Sequence, residues 1–153
     1  MKDNIKYTII ITIIFFVQTI SPSINAIGVR PLVVDLNMER GEEKQFKLEL
    51  TPTKEEEVVS LNLYYPNQQM NGQLSFEEKS TNRYNVFNWF EFQKEMTIAP
   101  GEKKDMNIKV TVPYDAKGSH TVILMIAPKV DSNNGGINFK VRYAVKVNIN
   151  IES

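Results

Sequence analysis

The chain has 153 residues, about the length of one domain, with 18 Lys+Arg against 18 Asp+Glu and a net charge of zero. That balance argues against a nucleic-acid binder working through bulk positive charge. With no Cys and one His, disulfides, thiol nucleophiles, thiolate zinc sites, a lipid-modified Cys and multi-histidine metal centres are all excluded.

The N-terminus carries Lys2 and Lys6, diluted by Asp3. An apolar run, Ile9 to Val17, follows and fades through Gln18-Thr19-Ile20 into Ser21-Pro22-Ser23-Ile24-Asn25-Ala26. A basic start, a short apolar centre and a small residue at a cut site form the pattern of a secretory signal peptide. The run is well short of the ~20 residues a membrane-spanning helix needs. The expected cut falls after Ala26, with Ser23 as the other choice, so residues 1–26 are a leader and 27–153 the mature domain. No second apolar span occurs, so no stable membrane anchor is expected once the leader is removed. The expected location is extracytoplasmic: periplasm, cell wall or secreted. The absence of an Asn-x-Ser/Thr sequon is consistent with a bacterial source.

The mature chain alternates in twos. Val29 to Met38 changes parity around Pro31, which predicts an edge strand with a kink, because Pro donates nothing to a ladder. Phe46, Leu48 and Leu50 alternate with Lys47, Glu49 and Thr51; Val59, Leu61, Leu63 and Tyr65 alternate with Ser60, Asn62 and Tyr64. Leu74 and Phe76 form a short strand after Asn71-Gly72. Tyr84 to Phe92 reads either as a strand or as a short helical turn presenting Trp89. Met106 to Val112 alternates again, and Val122 to Ala127 is apolar on both parities, as in a strand buried on both faces. From Ile137 to Ile151 every odd position is apolar, the longest alternation in the chain. Turn residues separate these runs at Gly41, Asn71-Gly72, Pro100-Gly101, Gly118 and Asn133-Asn134-Gly135-Gly136. Many strands with no amphipathic helix predict a single antiparallel immunoglobulin-like β-sandwich.

No catalytic constellation assembles, and the expected activity is non-enzymatic. His120 at a strand start reads as a surface residue more readily than as a general base. Glu55-Glu56-Glu57 and Glu77-Glu78 read as solvated charges, because glycoside chemistry needs two carboxylates at a defined separation. No Gly-x-Ser-x-Gly elbow, phosphate loop or His-Glu-x-x-His motif occurs, and no cofactor or metal is expected. The aromatics around Trp89 read as core plugs more readily than as a sugar-binding face.

Three stretches carry a family resemblance: Val29-Arg30-Pro31-Leu32-Val33-Val34-Asp35-Leu36; Trp89-Phe90-Glu91-Phe92 with Met96-Thr97-Ile98-Ala99-Pro100-Gly101-Glu102; and Val122 to Pro128 followed by the alternating Ile137–Ile151. Together they resemble the N-terminal immunoglobulin-like domain of PapD-like periplasmic pilus-assembly chaperones. The layout also resembles surface modules that accompany WxL proteins of Gram-positive bacteria, through Asn71 to Phe76 and Val112-Pro113 with Gly118.

The chaperone resemblance implies a last strand that donates alternate apolar side chains to a pilin lacking a strand. It also implies a basic pair that holds the pilin's C-terminal carboxylate. Arg30 matches the first basic position; the register leaves Ala144 or Lys146 for the second. The family's second domain has no counterpart here, so a single-domain relative is the expectation. Candidate partner-binding residues are therefore Arg30, Val141, Tyr143, Val145, Lys146 and Val147, toward an exported protein subunit, pilin-like or a surface protein. Opposed to this, the long strand is simply central and donates nothing. The alternative function is a wall-associated module that binds peptidoglycan or a surface protein through Tyr64, Tyr65 and Trp89.

Overall fold

The computed structural model describes residues 27–51, 54–78, 85–129 and 141–152. The expected leader, residues 1–26, and the Ile137–Lys140 part of the alternating run lie outside the described residues.

Ten strands and one 3-10 turn follow in order: β1 Gly28–Arg30, β2 Val33–Met38, β3 Glu43–Thr51, β4 Glu57–Gln68, β5 Leu74–Glu77, the turn Val86–Trp89, β6 Phe90–Glu91, β7 Glu95–Ile98, β8 Lys104–Thr111, β9 Gly118–Pro128 and β10 Tyr143–Ile151. They form two layers, as the alternation predicts. One sheet has the order β1-β3-β8-β6. The other has β2-β10-β9-β4-β5, with β7 also pairing to β4. All neighbours run antiparallel except β2 and β10, which are parallel. The Tyr84–Phe92 ambiguity resolves, over its described part, into the 3-10 turn followed by the two-residue β6.

The parity change at Pro31 marks a switch between sheets rather than a kink within one strand. Before it, β1 pairs with β3; after it, β2 pairs with β10. The Arg30–Pro31 peptide bond is cis. A chain that leaves one sheet at Arg30 and joins the other at Val33 closes one side of the sandwich.

The inner faces supply the core. Leu48 and Leu50 of β3, Met106, Ile108 and Val110 of β8, Val122, Leu124 and Ile126 of β9, and Val145, Val147 and Ile149 of β10 are all essentially inaccessible. Among the described residues no polar or charged side chain is buried. Each buried aliphatic side chain contributes roughly 1.5–3 kcal/mol, so a chain without disulfides draws its stability from this interior. On the outer face a polar ladder crosses three strands: Thr121 Oγ1 donates to Asn148 Oδ1 at 2.9 Å, and Asn148 Nδ2 donates to Asp35 Oδ1 at 2.6 Å. Asn150 Nδ2 donates to Asn37 Oδ1 at 3.2 Å one step further along. These bonds favour the observed register of the parallel pair, since a slip of one residue would turn the ladder inward.

Gly41 has φ of +78°, and a Cβ there would lie 2.4 Å from Tyr114 Cε1. Gly41→Ala is expected to cost roughly 1 kcal/mol or more, because both the backbone and the ring must shift. A midpoint in urea unfolding equal to that of the unchanged protein would contradict this.

Candidate functional site

The candidate residues fall in two regions: the start of β10 with the β1–β2 crossover, and the aromatic segment around Trp89.

In β10, alternation sets which groups face which neighbour. Lys146 N–H donates to Leu32 O at 2.9 Å, so the main-chain groups of even-numbered residues point toward β2. The pairing with β2 begins at Val33↔Lys146 and continues to Met38↔Ile151. On the other side β9 pairs with β10 along its whole length, from Tyr143↔Ile126 to Ile151↔Gly118. Hence Ala144 turns its N–H and C=O toward an edge that has no strand neighbour among the described residues. Apolar groups surround this open end: Val141 is 40% exposed, Leu32 48% and Val33 53%. Tyr143 is half-buried and packs against the core.

The odd-numbered valines do not share that exposure. Val145 and Val147 are both 0% exposed. Their side chains point between the sheets and are filled in by the protein's own core. In the free domain they are therefore not presented to a partner: β10 is central from Lys146 onward, so only its first residues keep a free edge.

The basic pair also looks different from the expectation. Arg30 Nη2 lies 2.6 Å from Glu49 Oε1, and Lys103 Nζ lies 3.3 Å from the same oxygen. The hydrogen bond from Arg30, then that from Lys103, holds the Glu49 carboxyl below its ordinary pKa. Arg30 therefore already has a carboxylate partner within the domain. Lys146 lies on the outer face opposite Val33, exposed, and makes no ion pair among the described residues. Position 144, the other candidate, offers only a methyl group and the edge-facing main chain.

The aromatic segment divides in two. Trp89 is 5% exposed and meets His120 edge to face, with centroids 4.9 Å apart. Tyr65 is 9% exposed and stacks on Phe87 at 4.1 Å. Its hydroxyl accepts the Val86 N–H at 3.0 Å, and lies 3.4 Å from Asn85 Oδ1. Tyr65 and Trp89 are thus packed within the domain rather than displayed on its surface. They tie the 3-10 turn down where the chain crosses between sheets. Of the three residues named for the alternative surface, Tyr64 lines an open cleft. The cleft has a volume of about 590 Å³ and is shared with Phe87, Phe90, Phe92 and polar groups of Asn62 and Lys94.

His120 Nε2 lies 2.9 Å from Lys117 O, and the imidazole is half-buried at the start of β9. Among the described residues no group of three His, Asp or Glu side chains is placed to hold a metal ion. No helix among them is long and apolar enough to cross a membrane.

No protein-family model and no curated sequence matches the chain. Solved structures do. The CsuC–CsuE chaperone–tip adhesion subunit complex of Acinetobacter baumannii Csu pili matches with a TM-score of 0.58 at 16% identity, covering 83% of this chain and 57% of that one. The class 5 fimbriae chaperone CfaA matches with a TM-score of 0.57 at 11% identity over 82% of this chain and 57% of that one. A PapD-like domain of human CEP192 matches with a TM-score of 0.53 at 13% identity, covering 87% and 88% of the two chains. The chain spans a little over half the length of the chaperone chains it matches. At these identities the likeness is one of fold: the chain shares an immunoglobulin-like β-sandwich with these domains.

Proposed function

We propose that the protein is an exported, non-enzymatic binding or assembly module. It holds an extended segment of a partner protein subunit against the open end of β10. The observation that carries this reading is the mismatch in length between β10 and β2. β2 covers β10 only from Lys146, leaving the main chain of Ala144 facing an unpaired edge flanked by exposed Val141, Leu32 and Val33. An unpaired main chain beside apolar side chains is what strand addition uses: ladder bonds give affinity and alternate side chains give selectivity.

The fold supports the same reading, because matched structures include chaperones solved with an adhesion subunit or a pilin. Export follows from the leader pattern of residues 1–26. In this reading Val141 and Tyr143 offer side chains to the incoming strand, and Lys146 offers a charge for a carboxylate. Arg30 joins it only by exchanging Glu49 for the partner.

Ala144→Pro tests the proposal, with capture from the envelope extract of the native organism read by mass spectrometry. It removes an N–H from the open edge, while the bonds to β9 belong to the odd-numbered residues and remain. The unchanged protein should recover one dominant exported subunit in equal ratio. The Ala144→Pro variant, and separately Val141→Glu, should lose it by tenfold or so, about 1.4 kcal/mol, with native circular dichroism. Undiminished capture by both folded variants would remove the β10 edge from the mechanism.

A further inference from the structure

Apart from the open start of β10, most strand edges among the described residues are defended. The outward main-chain groups of β2 belong to its odd-numbered residues, and Lys44 Nζ donates to Asn37 O. On β7 the outward groups belong to Glu95 and Thr97, and Lys104 Nζ donates to Thr97 O at 2.8 Å. β1 stops at Pro31, and β6 is two residues long, with Glu91 paired to Lys109 at 2.5 Å. Short strands, prolines and lysines are the usual devices against edge-to-edge pairing.

β5 is also short, at four residues, but it carries no proline and no lysine. It is the outermost strand of its sheet. Gln69 N–H donates to Gln73 O, so the odd-numbered residues of this strand bond inward to β4. The main-chain groups of Leu74 and Phe76 consequently point away from the sheet. The same two residues carry exposed apolar side chains, 53% and 39% accessible. No side chain among the described residues caps their outward groups.

We propose that β5 is a self-association edge, whose occupant is β5 of a second copy of this chain, antiparallel about a two-fold axis through Ser75. The sequence of the strand selects this partner. In that register Leu74 lies opposite Phe76 of the second copy, and each such pair exchanges both its N–H···O bonds. Leu and Phe then pack on the same face across the junction. Glu77 lies opposite Gln73, and Glu78 opposite Gly72, so no like charges meet. Residues 27–153 carry 16 Lys+Arg against 17 Asp+Glu, so overall repulsion is slight. The interface is isologous and closes at two copies. A four-residue edge is far smaller than the ~1,200–2,000 Å² of a standard interface. The dimer is therefore weak and concentration-dependent.

Sedimentation equilibrium of the purified protein tests this, because weight-average mass rises with concentration only if the chain self-associates. The double variant L74K/F76K sets like charges opposite each other and should remain monomeric throughout. The double variant L74K/F76E sets opposite charges across the two-fold axis and should regain association that falls as salt is added. Both positions are exposed, and a native circular dichroism spectrum confirms that each variant is folded. A protein that stays monomeric at its solubility limit overturns the proposal. So does association undiminished in L74K/F76K, or β5-dependent capture of a different protein in place of a second copy. Because this edge lies at the far side of β4 and β9 from β10, its failure leaves subunit capture by Ala144 untouched.

Discussion

Val145→Glu unfolds the domain. Val145 is wholly inaccessible, lies opposite Leu124 of β9 and belongs to a core in which no described polar or charged residue is buried. A carboxylate introduced there finds no counter-charge and no hydrogen-bond donor. It must be buried unpaired or taken in protonated, at a cost of several kcal/mol either way. Net stabilities of single domains are ~5–15 kcal/mol, so such a loss removes most or all of the margin. Each 1 kcal/mol shifts the melting temperature by roughly 2–8 °C in domains of this size range. Thermal melts followed by circular dichroism should show Val145→Glu without a native baseline, while Val141→Glu melts within a few degrees of the unchanged protein. Equal melting of Val145→Glu and the unchanged protein would show that the valine is not in the core. The contrast separates two residues of identical type on one alternating run. Val141 precedes the strand and is 40% exposed; Val145 lies within it and is sealed.

This pair also shows what the alternation contains. A period of two assigns side chains to faces, and from Tyr143 to Ile151 it assigns them correctly: every odd residue is buried or half-buried. It says nothing about which strand lies alongside. Whether β10 is an edge or a centre depends on β2, a segment more than a hundred residues earlier whose pairing is long-range. The same limit applied at Pro31. The parity change was visible, but a kink and a transfer between sheets have the same pattern. Only the pairing of β1 with β3 and β2 with β10 separates them. The two-sided burial expected for β9 is real where β4 and β10 flank it: Val122, Leu124 and Ile126 face the core, and Ile123 is 6% exposed on the other side.

The burial of Tyr65 is legible in its own strand. Tyr65 shares parity with Val59 and Leu61, which are buried, whereas Tyr64 shares parity with Ser60 and Asn62. Residue type suggested a binding surface; the alternation placed the ring inside. The ion pair of Arg30 was not legible for another reason. Its partner, Glu49, is set by the antiparallel register of β1 on β3, which places the two residues opposite one another. No local pattern around Arg30 encodes that neighbour.

Trp89→Ala is expected to destabilise the domain by about 3–5 kcal/mol. The chain leaves the second sheet at β5, passes through the Val86–Trp89 turn and enters the first sheet at β6, which pairs with β8. A two-residue strand supplies few ladder bonds, so the crossing depends on side-chain packing. Trp89 provides it from one side, against His120 on β9. Tyr65 provides it from the other, stacked on Phe87 and accepting the Val86 N–H. Removing the indole empties a large volume between the sheets, and the turn cannot collapse into it while Tyr65 holds its start. Chemical denaturation should report the loss, and Tyr65→Phe combined with Trp89→Ala should cost less than the two changes separately, because both act on one turn. The chain has a single Trp, so its emission reports this site alone. A buried indole emits at short wavelength and resists quenching by iodide until unfolding. Red-shifted, readily quenched emission in the native protein, together with a stable Trp89→Ala variant, would return the ring to the surface and reopen the binding role assigned to it by residue type.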